Sequence, residues 1–125
     1  MKKISINNKN EVLLLTPRLP PSLNELLRMH WRRRAELQKA FDAQITAEWG
    51  RLRRRVFLKP VRLTFLLSFP NKRCRDYDNY IGGTKLIIDA LKRTFLFRDD
   101  SEWIKSIEVK FAQGEEGTVI LIQEV

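Results

Sequence analysis

Val61-Arg62-Leu63-Thr64-Phe65-Leu66-Leu67-Ser68-Phe69, closed by Pro70, puts an apolar residue at every second position. Side chains of an extended chain point to opposite faces in turn, so this period predicts a strand with Val61, Leu63, Phe65, Leu67 and Phe69 on one buried face. Pro70 has no N–H for a ladder and ends it. Upstream the period changes: Leu37, Phe41, Ile45, Trp49 and Leu52 form the stripe of a long amphipathic helix. Arg51 and Arg53 to Arg55 lie near its end, where the helix dipole favours cations, and Gly50 inside it costs about 1 kcal/mol relative to Ala. Before the helix, Glu11 to Leu15 reads as a short buried strand stopped by Thr16-Pro17, and Pro20-Pro21-Ser22 marks a turn.

Downstream, Ile87, Ile88, Leu91 and Phe95 predict the buried face of a second helix over Lys85 to Arg93, which stops near Phe97-Arg98-Asp99-Asp100-Ser101. Ile107, Val109 and Phe111 then alternate with Glu108 and Lys110. Gly114-Glu115-Glu116-Gly117 forms a turn, and Val119 to Ile122 is expected to return as the partner in a C-terminal antiparallel hairpin. The order strand, helix, strand, helix, strand, strand predicts an α/β fold of α+β-like character: a mixed sheet, that hairpin and two main helices. Residues 1–125 are expected to form a single compact domain.

A hydrophobic content of 43%, with three Trp and seven Phe, argues against a disordered chain. No apolar run approaches the ~20 residues of a membrane span, and Met1 to Asn8 lacks the apolar core of a signal peptide, so a cytoplasmic place with no membrane partner is expected. Charge is uneven. Residues 1 to 98 hold 22 Lys and Arg against 8 Asp and Glu, whereas residues 99 to 125 hold 2 against 7. The basic part suits a polyanion, nucleic acid first. Arg32-Arg33-Arg34 and Arg51 with Arg53-Arg54-Arg55 decide little by themselves, since solvated helix surface accounts for them as well. His30 reads as a loop or helix-start residue, with a DNA contact as the lesser alternative, and Cys74, the one cysteine, has no internal disulfide partner.

Arg75-Asp76-Tyr77-Asp78-Asn79 carries the chemistry. In an extended segment Asp76 and Asp78 share a face roughly 6.7 Å apart, and a hard cation such as Mg²⁺ relieves their repulsion. Lys72, Arg73, Arg75 and Lys85 draw a polyanion to the same place, and Asp99 or Asp100 before the expected hairpin adds a third acidic site at that end of the sheet. Such a set suits metal-assisted hydrolysis of a phosphodiester, with Lys85 offsetting charge that develops on the phosphate. Tyr77 is assigned to packing. Asn79 is either a helix-start residue or a hydrogen-bond partner of the carboxylates.

Pro20-Pro21-Ser22 with Asn24, Pro70, Arg75-Asp76-Tyr77-Asp78-Asn79, Lys85 ahead of Asp89-Ala90-Leu91, and Phe97-Arg98-Asp99-Asp100 together resemble the RusA family of Holliday-junction resolvases, in order and over most of the chain. The resemblance implies a RusA-like fold and Mg²⁺-dependent cutting of four-way junction DNA in recombination and repair, with Mn²⁺ as a substitute metal and activity at the nucleoid. It implies Asp76, Asp78 and Asp100 as metal-binding catalytic carboxylates and Lys85 as the catalytic lysine. Arg75 is implied as a DNA contact and the active form as a homodimer, since two strands must be cut; by their charge Lys72, Arg73, Arg32, Arg33 and Arg34 are expected to add phosphate contacts.

The chain departs from the pattern at one point. The family's Lys lies four residues after its second Asp, whereas Lys85 lies seven after Asp78, with Gly82-Gly83-Thr84 as an apparent insertion. Either the helix begins earlier, which leaves Lys85 within ~20° of Asp78 but ~4.5 Å farther along the axis, or the glycines form a bulge and Thr84 caps a helix starting at Lys85. The bulge is the preferred expectation. Two other readings compete. Asp100, Glu108 and Lys110 match the loose pattern of restriction-type nucleases, although Glu108 and Lys110 also suit the polar face of a strand. A module that binds branched DNA without cutting would use the basic residues but leave the carboxylates without a role.

Overall fold

The computed structural model describes residues 7, 8, 10–71, 75, 77–96 and 102–125. Strands β1 (Asn7–Asn8) and β2 (Glu11–Thr16) pair antiparallel, and β2 buries Val12 and Leu14 completely. Helix α1 (Leu23–Arg28) begins with a reciprocal capping box: the Ser22 hydroxyl accepts from the Glu25 N–H at 3.2 Å, and the Glu25 carboxylate accepts from the Ser22 N–H at 2.8 Å. Helix α2 (Trp31–Arg51) follows, with His30 as its N-cap, and buries Phe41 and Ile45 as its spacing requires. Arg53 and Arg54 close it in the left-handed region, with φ of 63° and 54°, which lets the Arg54 N–H return to the Trp49 carbonyl at 2.7 Å.

Strand β3 (Val61–Phe69) shows the predicted alternation, with Val61, Leu63, Phe65 and Leu67 fully buried. Two helices come next, α3 (Tyr77–Gly83) and α4 (Lys85–Lys92), then β4 (Ile104–Gln113) and β5 (Gly117–Glu124). The sheet runs β1-β2-β5-β3-β4, so the predicted mixed sheet is present: β3 and β4 are parallel and every other pair is antiparallel. One core lies between the sheet and the helices, where Phe41 and Ile45 of α2 and Ile87 and Leu91 of α4 meet Leu14, Phe65 and Ile120. None of the described helices is long and apolar enough to cross a membrane.

The expected hairpin is corrected. β5 does not pair with β4; it enters between β2 and β3, with Ile120 opposite both Leu14 and Phe65. The connection crosses the end of β3, where the Gly114 N–H donates to the Phe69 carbonyl at 2.9 Å. Composition explains the choice. Val119-Ile120-Leu121-Ile122 is apolar on both faces and belongs inside a sheet, whereas β4 exposes Lys105, Ser106, Glu108 and Lys110 and is suited to an edge.

The second face of the sheet carries Leu13, Leu15, Leu66, Val119 and Leu121, brought side by side by the register and none of them part of the core. At the rim of β2, the Glu48 carboxylate of α2 accepts from the Leu15 N–H at 3.1 Å and holds Arg51 at 3.0 Å. Burial works to raise the Glu48 carboxyl, but the Arg51 and Leu15 hydrogen bonds, with the Arg51 charge, outweigh it and leave it below its ordinary value.

Candidate active site

Asp78 occupies the first turn of α3 and is exposed, with its charge at the helix end where the dipole favours an anion. This corrects the extended geometry expected for the Asp pair, because Tyr77 and Asp78 are helical. Two contacts fix the helix. Below it, Tyr80 meets Phe69 at the end of β3 and Phe111 of β4, with ring centroids 5.6 and 5.7 Å apart in edge-on arrangements. Beside it, α1 packs against α3, and the Asn24 N–H donates to Asn79 Oδ1 at 3.0 Å. Asn79, left open between two roles, therefore ties α3 to α1.

The glycine pair makes that joint possible. A Cβ on Gly83 would overlap the Pro21 carbonyl oxygen, and one on Gly82 would come within 2.9 Å of the Leu23 side chain. Neither glycine has positive φ. They serve close approach of the Pro21–Leu23 backbone to α3 and form no left-handed bulge, while the expected helix start is present: α3 ends at Gly83 and α4 begins at Lys85, with Thr84 at its N-cap position near helical at φ −72° and ψ −4°. Thr84 does not cap α4 with its side chain. Its hydroxyl donates instead to the Ile81 carbonyl at 2.7 Å, and the residue is completely buried.

Lys85 opens α4, exposed, with its ammonium 3.3 Å from Asp89. Arg75 lies half-buried, its guanidinium 3.6 Å from the centre of the Phe69 ring and donating to Asn71 Oδ1 at 2.9 Å. The described part of the expected set is thus Asp78, Arg75 and Lys85. Asp76, Asp99, Asp100, Lys72, Arg73 and Cys74 lie outside the described residues. Among the described residues no three His, Cys, Asp or Glu side chains group together. Asp78 presents an accessible carboxylate, an oxygen donor of the type that Mg²⁺ takes.

Topology changes how the acidic segments relate. Phe69, which precedes Asp76 and Asp78 in the chain, ends β3; Trp103, which follows Asp99 and Asp100, accepts at its carbonyl from the Val61 N–H at the start of β3. The flanks of the two segments are separated by the length of the strand, about 26 Å at ~3.3 Å per residue. Asp76, Asp99 and Asp100 themselves lie outside the described residues.

Arg32 and Arg33 are exposed and Arg34 half-buried on the first turn of α2. Glu108 and Lys110 lie on the open face of β4, opposite Thr64 and Leu66, whereas Asp78 belongs to the helices packed on the other face. Gly83 and Asn24 stand out in the sequence, but not their role in joining α1 to α3. The motif Pro20-Pro21-Ser22-x-Asn24 was visible, and its contact with the glycine pair needed the fold. A scan against protein-family models and a search of curated proteins gave no match to this chain.

Proposed function

We propose that the chain is a divalent-metal-dependent endonuclease that cuts branched DNA and resolves four-way junctions, acting as a homodimer at the nucleoid. The observation that carries this reading is the seat of Asp78: an accessible carboxylate on a helix end locked from one side by α1 and from below by Phe69, Tyr80 and Phe111. A group that only keeps the chain soluble needs no such fixing, whereas a reacting centre does. Arg75 beside it and Lys85 one helix farther supply cations for phosphates.

Asp76, Asp78 and Asp100 would hold Mg²⁺, with Mn²⁺ as substitute, and the ion would make a water acidic enough to attack a phosphodiester and would offset charge on the departing oxygen. Asp78 orients that centre through the fixed start of α3. Lys85 stabilises the charge on the phosphate once it leaves Asp89. Because the flanks of the two acidic segments are a strand length apart, one site that uses both is completed across two copies of the chain.

The test mixes two inactive variants, Asp78→Asn and Asp100→Asn. Shared sites leave one intact site in each mixed dimer, so junction nicking returns on mixing although neither variant cuts alone. Sites confined to one copy predict no return and would reject the shared arrangement. Junction binding without metal-dependent cutting by the wild type would reject the nuclease in favour of a binding module. Cutting that survives Asp78→Asn but stops with Glu108→Gln would move the chemistry to the other face.

A further inference from the structure

We infer that Trp31, with His30 and Arg32 around it, is a stacking platform for an unpaired DNA base. The inference rests on the DNA-cutting reading and names how a branched substrate is told from a linear duplex. Trp31 is 68% exposed, whereas Trp103 is buried and Trp49 donates its indole N–H to the Arg55 carbonyl at 2.9 Å. Its ring is nevertheless held. His30 stacks against it with centroids 5.7 Å apart and planes at 28°, and the Arg32 guanidinium lies 5.2 Å from its centre. His30 is itself fixed by accepting at Nδ1 from the Arg32 N–H at 3.1 Å.

The surroundings select the occupant. From Leu26 to Ala35 the chain has four arginines, Arg28, Arg32, Arg33 and Arg34, and no acidic residue, while Leu27 is 69% exposed one turn before the corner. Flat apolar surface set among cations suits a ligand that is both polyanionic and aromatic. A base that has left its stack meets both requirements; stacking on an aromatic ring tolerates any base, and the arginines take the phosphates. Location agrees. α1 is bonded to α3 through Asn24, and Trp31 follows Asn24 by seven residues, so it stands no more than about 17 Å from that joint, a few nucleotides along a strand.

The experiment uses the full chain with chelator present, so that binding is read without cutting. A single-stranded oligodeoxynucleotide, a four-way junction and a blunt linear duplex are titrated against the wild type, Trp31→Ala and Trp31→Phe. Trp31→Ala is expected to bind the single strand and the junction about 5- to 100-fold more weakly and the duplex unchanged, Trp31→Phe to keep most of the affinity, and wild-type tryptophan fluorescence to be quenched by the single strand. Equal loss on all three DNAs, or no loss on any, would overturn the platform. So would a change in sedimenting mass in Trp31→Ala with DNA binding intact, which would mark a protein contact. If junctions are cut while Trp31→Ala binds normally, the platform alone fails; if Trp31→Ala loses single-strand binding but no junction is ever cut, the enzyme reading alone fails.

Discussion

The joint beneath Asp78 and the corner around Trp31 sit at the two ends of the same short helix, α1, and are built in opposite ways. At the joint, backbone meets backbone: Gly83 leaves room for the Pro21 carbonyl, Asn79 receives the Asn24 N–H, and the side chains that matter are small. At the corner, large side chains stand in solvent, and their order comes from one another through His30, Trp31 and Arg32. Close packing restricts the position of Asp78 because a displacement of α3 collides with α1 at once. An exposed ring tolerates ligands of different shape. Fixed geometry suits a reacting group, and adaptable surface suits recognition.

The sharpest way to break this contrast is to fill the joint. Gly83→Ala is expected to cost about 3 kcal/mol, at the upper end for overpacking, because backbone must move; a lowered urea midpoint checks it. Gly50→Ala is the matched control. No atom lies within 4 Å of its added methyl, so it should raise the midpoint by the equivalent of about 1 kcal/mol. A loss in both would mean that glycine is needed for reasons other than close approach.

A finer cut is Asn79→Ala, which leaves the Asn24 N–H without its acceptor. It should cost about 1 kcal/mol and reduce junction cutting more than junction binding, measured on the same preparation. Equal losses would place Asn79 in the DNA interface and not in the positioning of α3.

The smallest effect lies outside both regions. Glu48 has a lowered value in the folded chain, so the unfolded chain takes up its proton first as pH falls. Its contribution is complete above the unfolded value and is lost as pH drops through the folded one. Arg51 is largely in solvent, and the contribution should stay below about 1 kcal/mol. Urea midpoints between about pH 6 and pH 3 should fall more steeply for the wild type than for Glu48→Gln; parallel curves would remove Glu48 from the acid response.

Local pattern and chain topology were not equally legible. β3, α2 and α4 could be read because burial imposes its own period on each stretch, and Phe41, Ile45, Phe65 and Ile87 lie where that period puts them. Pairing is not a local property. A three-residue connection between two alternating stretches usually makes a hairpin, and only the two-faced apolar run at Val119–Ile122 pointed to an interior strand. The Asp78 seat was half legible. Its carboxylate, its Pro20-Pro21-Ser22 loop, its glycines and the helix start at Lys85 were all legible, yet nothing in the sequence announces which distant backbone comes close to Gly82-Gly83. The exposure of Trp31 had no signal: a Trp at a helix start reads the same whether it is covered or bare.

The placement of β5 between β2 and β3 also bears on how the chain reaches this fold. Residues 117–124 are made after the other described elements, yet they supply neighbours to strands that end at residues 16 and 69. Until then, β2 and β3 each present an open backbone edge with apolar side chains beside it. Closing loops of that length is slow compared with forming α2 or α4. During synthesis the nascent chain therefore passes through a stage in which its helices are ready and its sheet is still in two parts, and that stage is where sticking to other chains competes with folding.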